Sequence, residues 1–99
     1  MFARVTSTSA PPEGAIRGIN YLRETVHPLL RRQAGYKGTY YLLNRETGKA
    51  LTIDLWGTNE DIGRSEALYN QISAQARKDY NLPEDHPFVI DLYEVALTP

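Results

Sequence analysis

Asp54 is the single carboxylate in the run Lys49 to Trp56, where it stands between Ile53 and Leu55. An ionised carboxylate on such a strand costs on the order of a few kcal/mol unless it is paired or its pKa rises. As chemistry it is a base or a ligand-orienting group. As structure it is a partner of Arg4 or of a backbone N–H, or it lies exposed near a sheet end. Two residues on comes Trp56, the only tryptophan. Its ring can wall an apolar pocket while its N–H holds a polar group, or it can fill core. The two histidines, His27 and His86, are isolated in sequence. They make no metal site, which usually needs three or four ligands, and there is no cysteine to add a thiolate. Neither a metal nor a cofactor is therefore expected. His27 is a candidate proton carrier or a structural histidine. Among seven tyrosines, most would fill sheet faces and a subunit interface, while Tyr41 and Tyr69 could hydrogen-bond a phenolic or quinone-like ligand. Gly14 to Gly18 lacks the spacing of a dinucleotide fingerprint.

The elements that must position these groups follow from periodicity. Phe2 to Ser7 reads as a strand, closed by Ser9-Ala10-Pro11-Pro12. Pro12 and Glu13 suit the start of a helix, and Ile16, Ile19, Leu22, Val26 and Leu30 form its apolar stripe. Pro28 should interrupt that helix near Glu24 and Thr25, and Gly35 should stop the chain behind it. Tyr36 to Asn44 and Lys49 to Trp56 form a hairpin around Arg45-Glu46-Thr47-Gly48. Thr58 with Asn59, Glu60 and Asp61 is an N-cap with an acidic first turn. Ile62, Ser65, Tyr69, Ile72 and Ala76 are the inward stripe of a second helix, and Phe88 to Ala96 is a last strand. The order is β-α-β-β-α-β.

That order predicts an α+β, ferredoxin-like domain: a four-stranded antiparallel sheet with two helices on one face. The first and third strands should be central. The loop length decides which side chains share a face. A four-residue loop pairs Asn44 with Lys49 and Tyr41 with Thr52, putting Thr39, Tyr41, Thr52, Asp54 and Trp56 together. Tyr40, Leu42, Leu51, Ile53 and Leu55 then form an apolar face. A three-residue loop groups Tyr40 with Thr52 instead; the first register separates polar from apolar better. Strand four carries apolar groups on both parities, so the free sheet face should be covered by a second copy.

The chain has 99 residues, enough for a single domain spanning 1–99. Eleven basic against twelve acidic residues leave a net charge of -1, which argues against a nucleic-acid partner. No apolar run is long enough to span a membrane, and no signal peptide is visible at Met1 to Val5. A soluble, cytoplasmic protein is expected.

Val26-His27-Pro28-Leu29-Leu30, Gly35-Tyr36-Lys37-Gly38, Asn44 to Lys49 and Leu55-Trp56 together resemble the antibiotic biosynthesis monooxygenase family. The resemblance runs from Phe2 to about Ala96. It implies a dimeric α/β barrel, a homodimer closed through the open sheet face. The family includes cofactor-free oxygenases of aromatic polyketides, heme-degrading enzymes and proteins with no assigned activity. By resemblance, Trp56 lines the pocket. The Asn that polyketide oxygenases carry four residues earlier is here Thr52. The heme-degrading set, an Asn on the first strand with a Trp and a His on the second helix, is absent, since Thr6 or Ser7 stands on strand one. The implied function is a cofactor-independent monooxygenase acting on a small aromatic, polyketide- or quinol-like compound. Asp54 and His27 would be catalytic, and Tyr41, Thr52, Trp56 and Tyr69 would bind substrate. The alternative is a non-catalytic, small-ligand-binding or structural homodimer.

Overall fold

The computed structural model describes residues 1–9, 15–82 and 88–99. Strand β1 is Phe2–Ser9. Helix α1 begins as an α-helix, Ala15–Tyr21, widens to a π-helical stretch, Leu22–Val26, and closes as an α-helical turn, His27–Leu30. Strands β2, Tyr36–Leu43, and β3, Lys49–Trp56, follow, then helix α2, Asn59–Asp79, and strand β4, Val89–Glu94. The helix start expected at Pro12 and Glu13, the loop with His86, and the side chain of Ile16 lie outside the described residues.

Pro28 explains the widening of α1. It has no N–H to donate to the carbonyl of Glu24, and its ring crowds that carbonyl. The backbone instead closes a wider turn, His27 N–H bonding Leu22 O, the five-residue step of a π-helix. The interruption falls where the sequence places it.

Among the described residues the strands form one antiparallel sheet in the order β2-β3-β1-β4, with the first and third strands central. Asn44 N–H donates to Lys49 O at 2.8 Å, and Tyr41 pairs with Thr52. The four-residue loop therefore sets the register, with Gly48 closing it at φ +76°. A bulge interrupts the pairing at the start of β2, where Tyr36 sits opposite Trp56 and Gly38 opposite Leu55.

Thr58 caps α2 reciprocally: its hydroxyl accepts from Asp61 N–H, and Asp61 Oδ2 accepts from Thr58 N–H. Ile62, Ser65 and Tyr69 of the expected stripe are buried. Ile62 and Tyr69 meet Val26, Leu30 and Trp56 in a core that Phe2, Leu22, Tyr36 and Ile72 flank. The opposite sheet face is open, with Tyr40 63% and Tyr93 54% exposed. Leu92 is not part of that face: it pairs with Arg4 and projects to the helix side, at the sheet edge.

Candidate functional site

Asp54 points to the helix side of β3 and keeps only 2% of its surface exposed. Each carboxylate oxygen has its own donor. Thr39 Oγ1, directly opposite on β2, donates to Oδ1 at 2.6 Å, and Tyr69 Oη, from the middle of α2, donates to Oδ2 at 2.7 Å. Arg4 is the register partner of Asp54 on β1. Its guanidinium stacks over the Tyr69 ring, 3.6 Å from the centroid, and donates to Thr6 Oγ1 at 3.0 Å. Arg4 thus acts on Asp54 by attraction through space rather than by a hydrogen bond.

Burial pushes the Asp54 pKa up, and it outweighs the opposing pull of the Thr39 and Tyr69 hydrogen bonds and of the Arg4 and His27 charges. Burial, then the neighbouring Asp54 charge, holds the Tyr69 phenol far above its ordinary range, so Tyr69 keeps its proton and donates it. A raised carboxyl pKa has a sign for stability. Above the ordinary value of 3.8, the folded chain holds the Asp54 proton more tightly than the unfolded chain does. Stability is then lost as pH rises from 3.8 through the folded value. Denaturant unfolding across that window should show the fall, and Asp54→Asn should flatten it. Asp61, whose pKa is lowered first by its Thr58 hydrogen bond, acts oppositely, losing stability as pH falls below 3.8.

A cleft of about 220 Å³ opens beside Asp54, between α1 and the sheet. Ile19, Leu22, Val26 and Leu30 make its apolar wall, while Thr39, Tyr41 and Asp54 make the polar one, with His27 also lining it. The Tyr41 hydroxyl lies under Gly18 of α1, where a Cβ would come within 3.5 Å of it. Arg31 has only donors to offer, so in the neutral ring His27 Nδ1 accepts from its guanidinium at 3.3 Å, which leaves the proton on Nε2.

The structure therefore brings Asp54, His27 and Tyr41 to one cleft. Thr52 lies further along the same face, paired with Tyr41 and Thr6, outside the cleft lining. Trp56 and Tyr69 stand behind the cleft, 0% and 5% exposed. Trp56 packs edge-to-face between Tyr36 and Tyr69, at 5.5 and 6.2 Å between centroids. Three residues stand out that the sequence did not single out for chemistry. Arg4 figured there only as a structural partner, and Thr39 only as one of the polar face. Tyr36 was hidden by the bulge: without it, Lys37 rather than Tyr36 would oppose Trp56.

No family model matches the chain, and no curated protein matches it in sequence. Solved structures match it over nearly its whole length. One is the ActVA-Orf6 monooxygenase of Streptomyces coelicolor in complex with nanaomycin D, at 16% identity and a TM-score of 0.72, covering 99% of this chain and 91% of that one. A second, from Deinococcus radiodurans, is described as an antibiotic biosynthesis monooxygenase: 19% identity, TM-score 0.73, 100% of this chain and 96% of that one. The fold is that of the antibiotic biosynthesis monooxygenases. Rv0793 of Mycobacterium tuberculosis also superposes, at 14% identity, a TM-score of 0.61 and coverage of 100% and 95%. At these identities the likeness is one of fold. Within this fold, Trp56 ends the third strand as the resemblance requires, yet its ring is core.

Proposed function

We propose that the protein is a cofactor-independent monooxygenase of a small hydroquinone. The observation that carries the reading is Asp54: a carboxylate withdrawn from water, held at both oxygens by O–H donors, and facing a cleft with an apolar wall. A group placed so can take a proton from a ring held in the cleft, the work of a general base. The shared fold with the Streptomyces monooxygenase supports the reaction class.

The cleft's size narrows the substrate. A cavity of roughly 150 Å³ holds benzene, while pockets for drug-sized ligands begin near about 300 Å³. At about 220 Å³ the cleft suits one substituted ring better than a three-ring polyketide. Asp54 takes one hydroxyl proton, and the resulting anion supplies electrons to oxygen. One oxygen atom enters the ring and the other leaves as water, giving a hydroxyquinone. The four electrons come from the substrate itself. Tyr41 and His27 orient the ring from the two sides of the cleft, while Tyr69 and Arg4 hold the base from behind. Thr52 and Trp56 support the walls rather than touch the ring. Oxygen uptake with a single-ring hydroquinone, and one labelled atom in the product under labelled oxygen, test this. Quenching of Trp56 fluorescence without oxygen uptake would leave a ligand-binding protein, and neither result would leave a structural one.

The same reading takes residues 1–99 as one domain that dimerises through the open sheet face, in the cytoplasm. Among the described residues no helix is long and apolar enough to cross a membrane. Ile53 projects to the open face from a central strand, opposite Val5 and Tyr40. Ile53→Arg would bury an unpaired charge there, at a cost on the order of 3–5 kcal/mol. Sedimentation should show a dimer for the native protein and a folded monomer for the variant. An unchanged dimer would remove this face from the interface.

A further inference from the structure

The base is joined to half-buried Tyr36 by a directed chain of hydroxyls. A carboxylate has no hydrogen to offer, so Thr39 Oγ1 must be the donor in its 2.6 Å contact with Asp54 Oδ1. That uses the one hydrogen of Thr39. The Tyr36 hydroxyl, 2.5 Å from the same Oγ1, must then donate to Thr39. Both hydrogens point inward, from half-buried Tyr36 to Asp54, which is 2% exposed. The chain exists because the bulge at the start of β2 turns Tyr36 to the helix side, where it opposes Trp56.

A base so withdrawn needs a route for the proton it gains once substrate fills the cleft. Tyr69 is a dead end: it is buried, it donates to Oδ2, and Arg4 covers its ring. We propose that Thr39 and Tyr36 are a proton wire that returns to solvent the proton Asp54 takes from its substrate. The proposal rests on the reading of Asp54 as the base.

The step balances oxygen by oxygen. Once Asp54 is protonated, Thr39 turns its hydrogen towards Tyr36 Oη and Tyr36 turns its own towards water. The proton gained by the carboxyl then passes from Oδ1 to Thr39 Oγ1 as the Thr39 hydrogen passes to Tyr36 Oη and the Tyr36 hydrogen passes to water. Each hydroxyl breaks one O–H bond and forms one, and Asp54 is again a carboxylate. The hop itself leaves both hydroxyl hydrogens pointing inward again, as they do in the structure. The charged and titratable groups facing the wire are Arg4 on β1, His27 on α1, Arg31 at its C-cap, and Tyr69 on α2. Burial raises the Tyr36 pKa, with the Thr39 hydrogen bond and the Arg31 charge pulling only partway back, so Tyr36 stays a neutral hydroxyl between transfers, and the His27 ring meets it edge-on at 5.9 Å.

The test reads Asp54 directly. With benzene filling the cleft, a photoacid lowers the pH in a flash, and time-resolved infrared follows the protonated Asp54 carboxyl stretch, assigned by its loss in Asp54→Asn. Thr39→Val and Tyr36→Phe cut the chain without changing shape, and each should slow Asp54 protonation about tenfold or more. Thr39→Ser keeps the hydroxyl and should return the rate to within about twofold of native. Tyr36→Phe leaves the Thr39–Asp54 bond in place, so its slowing cannot come from a misplaced carboxylate. Native kinetics in either Thr39→Val or Tyr36→Phe, or a Thr39→Ser rate as slow as that of Thr39→Val, would overturn the wire. The band needs no substrate, so absent hydroquinone turnover would count against the base and not against the wire.

Discussion

Asp54→Asn is expected to lower turnover of a single-ring hydroquinone by about 10²–10⁴-fold, the usual contribution of a positioned general base. The fold should survive. An amide at this position still accepts from Thr39 at its oxygen, and its NH₂ can donate to Tyr69 once that hydroxyl turns to accept. The loss should be in chemistry rather than in binding, because the apolar wall of Ile19, Leu22, Val26 and Leu30 is untouched. The pH profile supplies the second half of the expectation. A base must be ionised to act, so activity should rise with pH through a value above the ordinary 3.8, raised by the burial of Asp54. Oxygen uptake against pH, native and variant, measures both. Retention of native turnover by Asp54→Asn would remove Asp54 from the chemistry. A lowered melting temperature with unchanged turnover would make it a purely structural carboxylate.

Gly35→Ala should be among the most destabilising single-methyl changes in the chain, at about 2–3 kcal/mol. Two causes add. Gly35 has φ +84°, in the left-handed region that an L side chain enters only at a cost of about 1–2 kcal/mol. A Cβ there would also overlap the Asp61 carboxylate, which caps α2 through Thr58 and pairs with Arg64. Moving it sacrifices the cap, at about 1 kcal/mol. For a domain of this length the melting temperature should fall by roughly 10–20 °C. Gly38 is the control: its φ is +135°, yet nothing lies within 4 Å of the Cβ it would carry, so Gly38→Ala should cost backbone strain alone. Placing Gly35→Ala in an Asp61→Ala background separates the causes, because the overlap term vanishes there. An equal cost in both backgrounds would refute the clash.

Local patterns were enough for the element order, the strand alternation, the hairpin register and the capping of α2. Each is a short-range matter. Loop length sets parity between β2 and β3, the Thr58 and Asp61 side chains act within one turn, and Pro28 acts on a carbonyl four residues back. The co-location of Thr39, Tyr41, Thr52 and Asp54 on one face was legible for the same reason.

What the pattern could not show was convergence. Asp54 draws partners from β1, β2 and α2, and no periodicity within one element reports how another packs on it. The bulge shifts the parity of β2 by one residue, so Tyr36 exchanges faces with Lys37, and that shift is set by pairing with β3 rather than by the sequence of β2. Trp56 was legible as the end of a strand but not as solid core, because its burial depends on Tyr36 and Tyr69 closing over it from both sides. Leu92 likewise took its face from pairing with Arg4. In this chain, residue order settles what each segment is, since backbone sterics and turn chemistry act over a few residues. The site is settled by long-range packing, since a buried carboxylate is stable only where distant segments bring it donors.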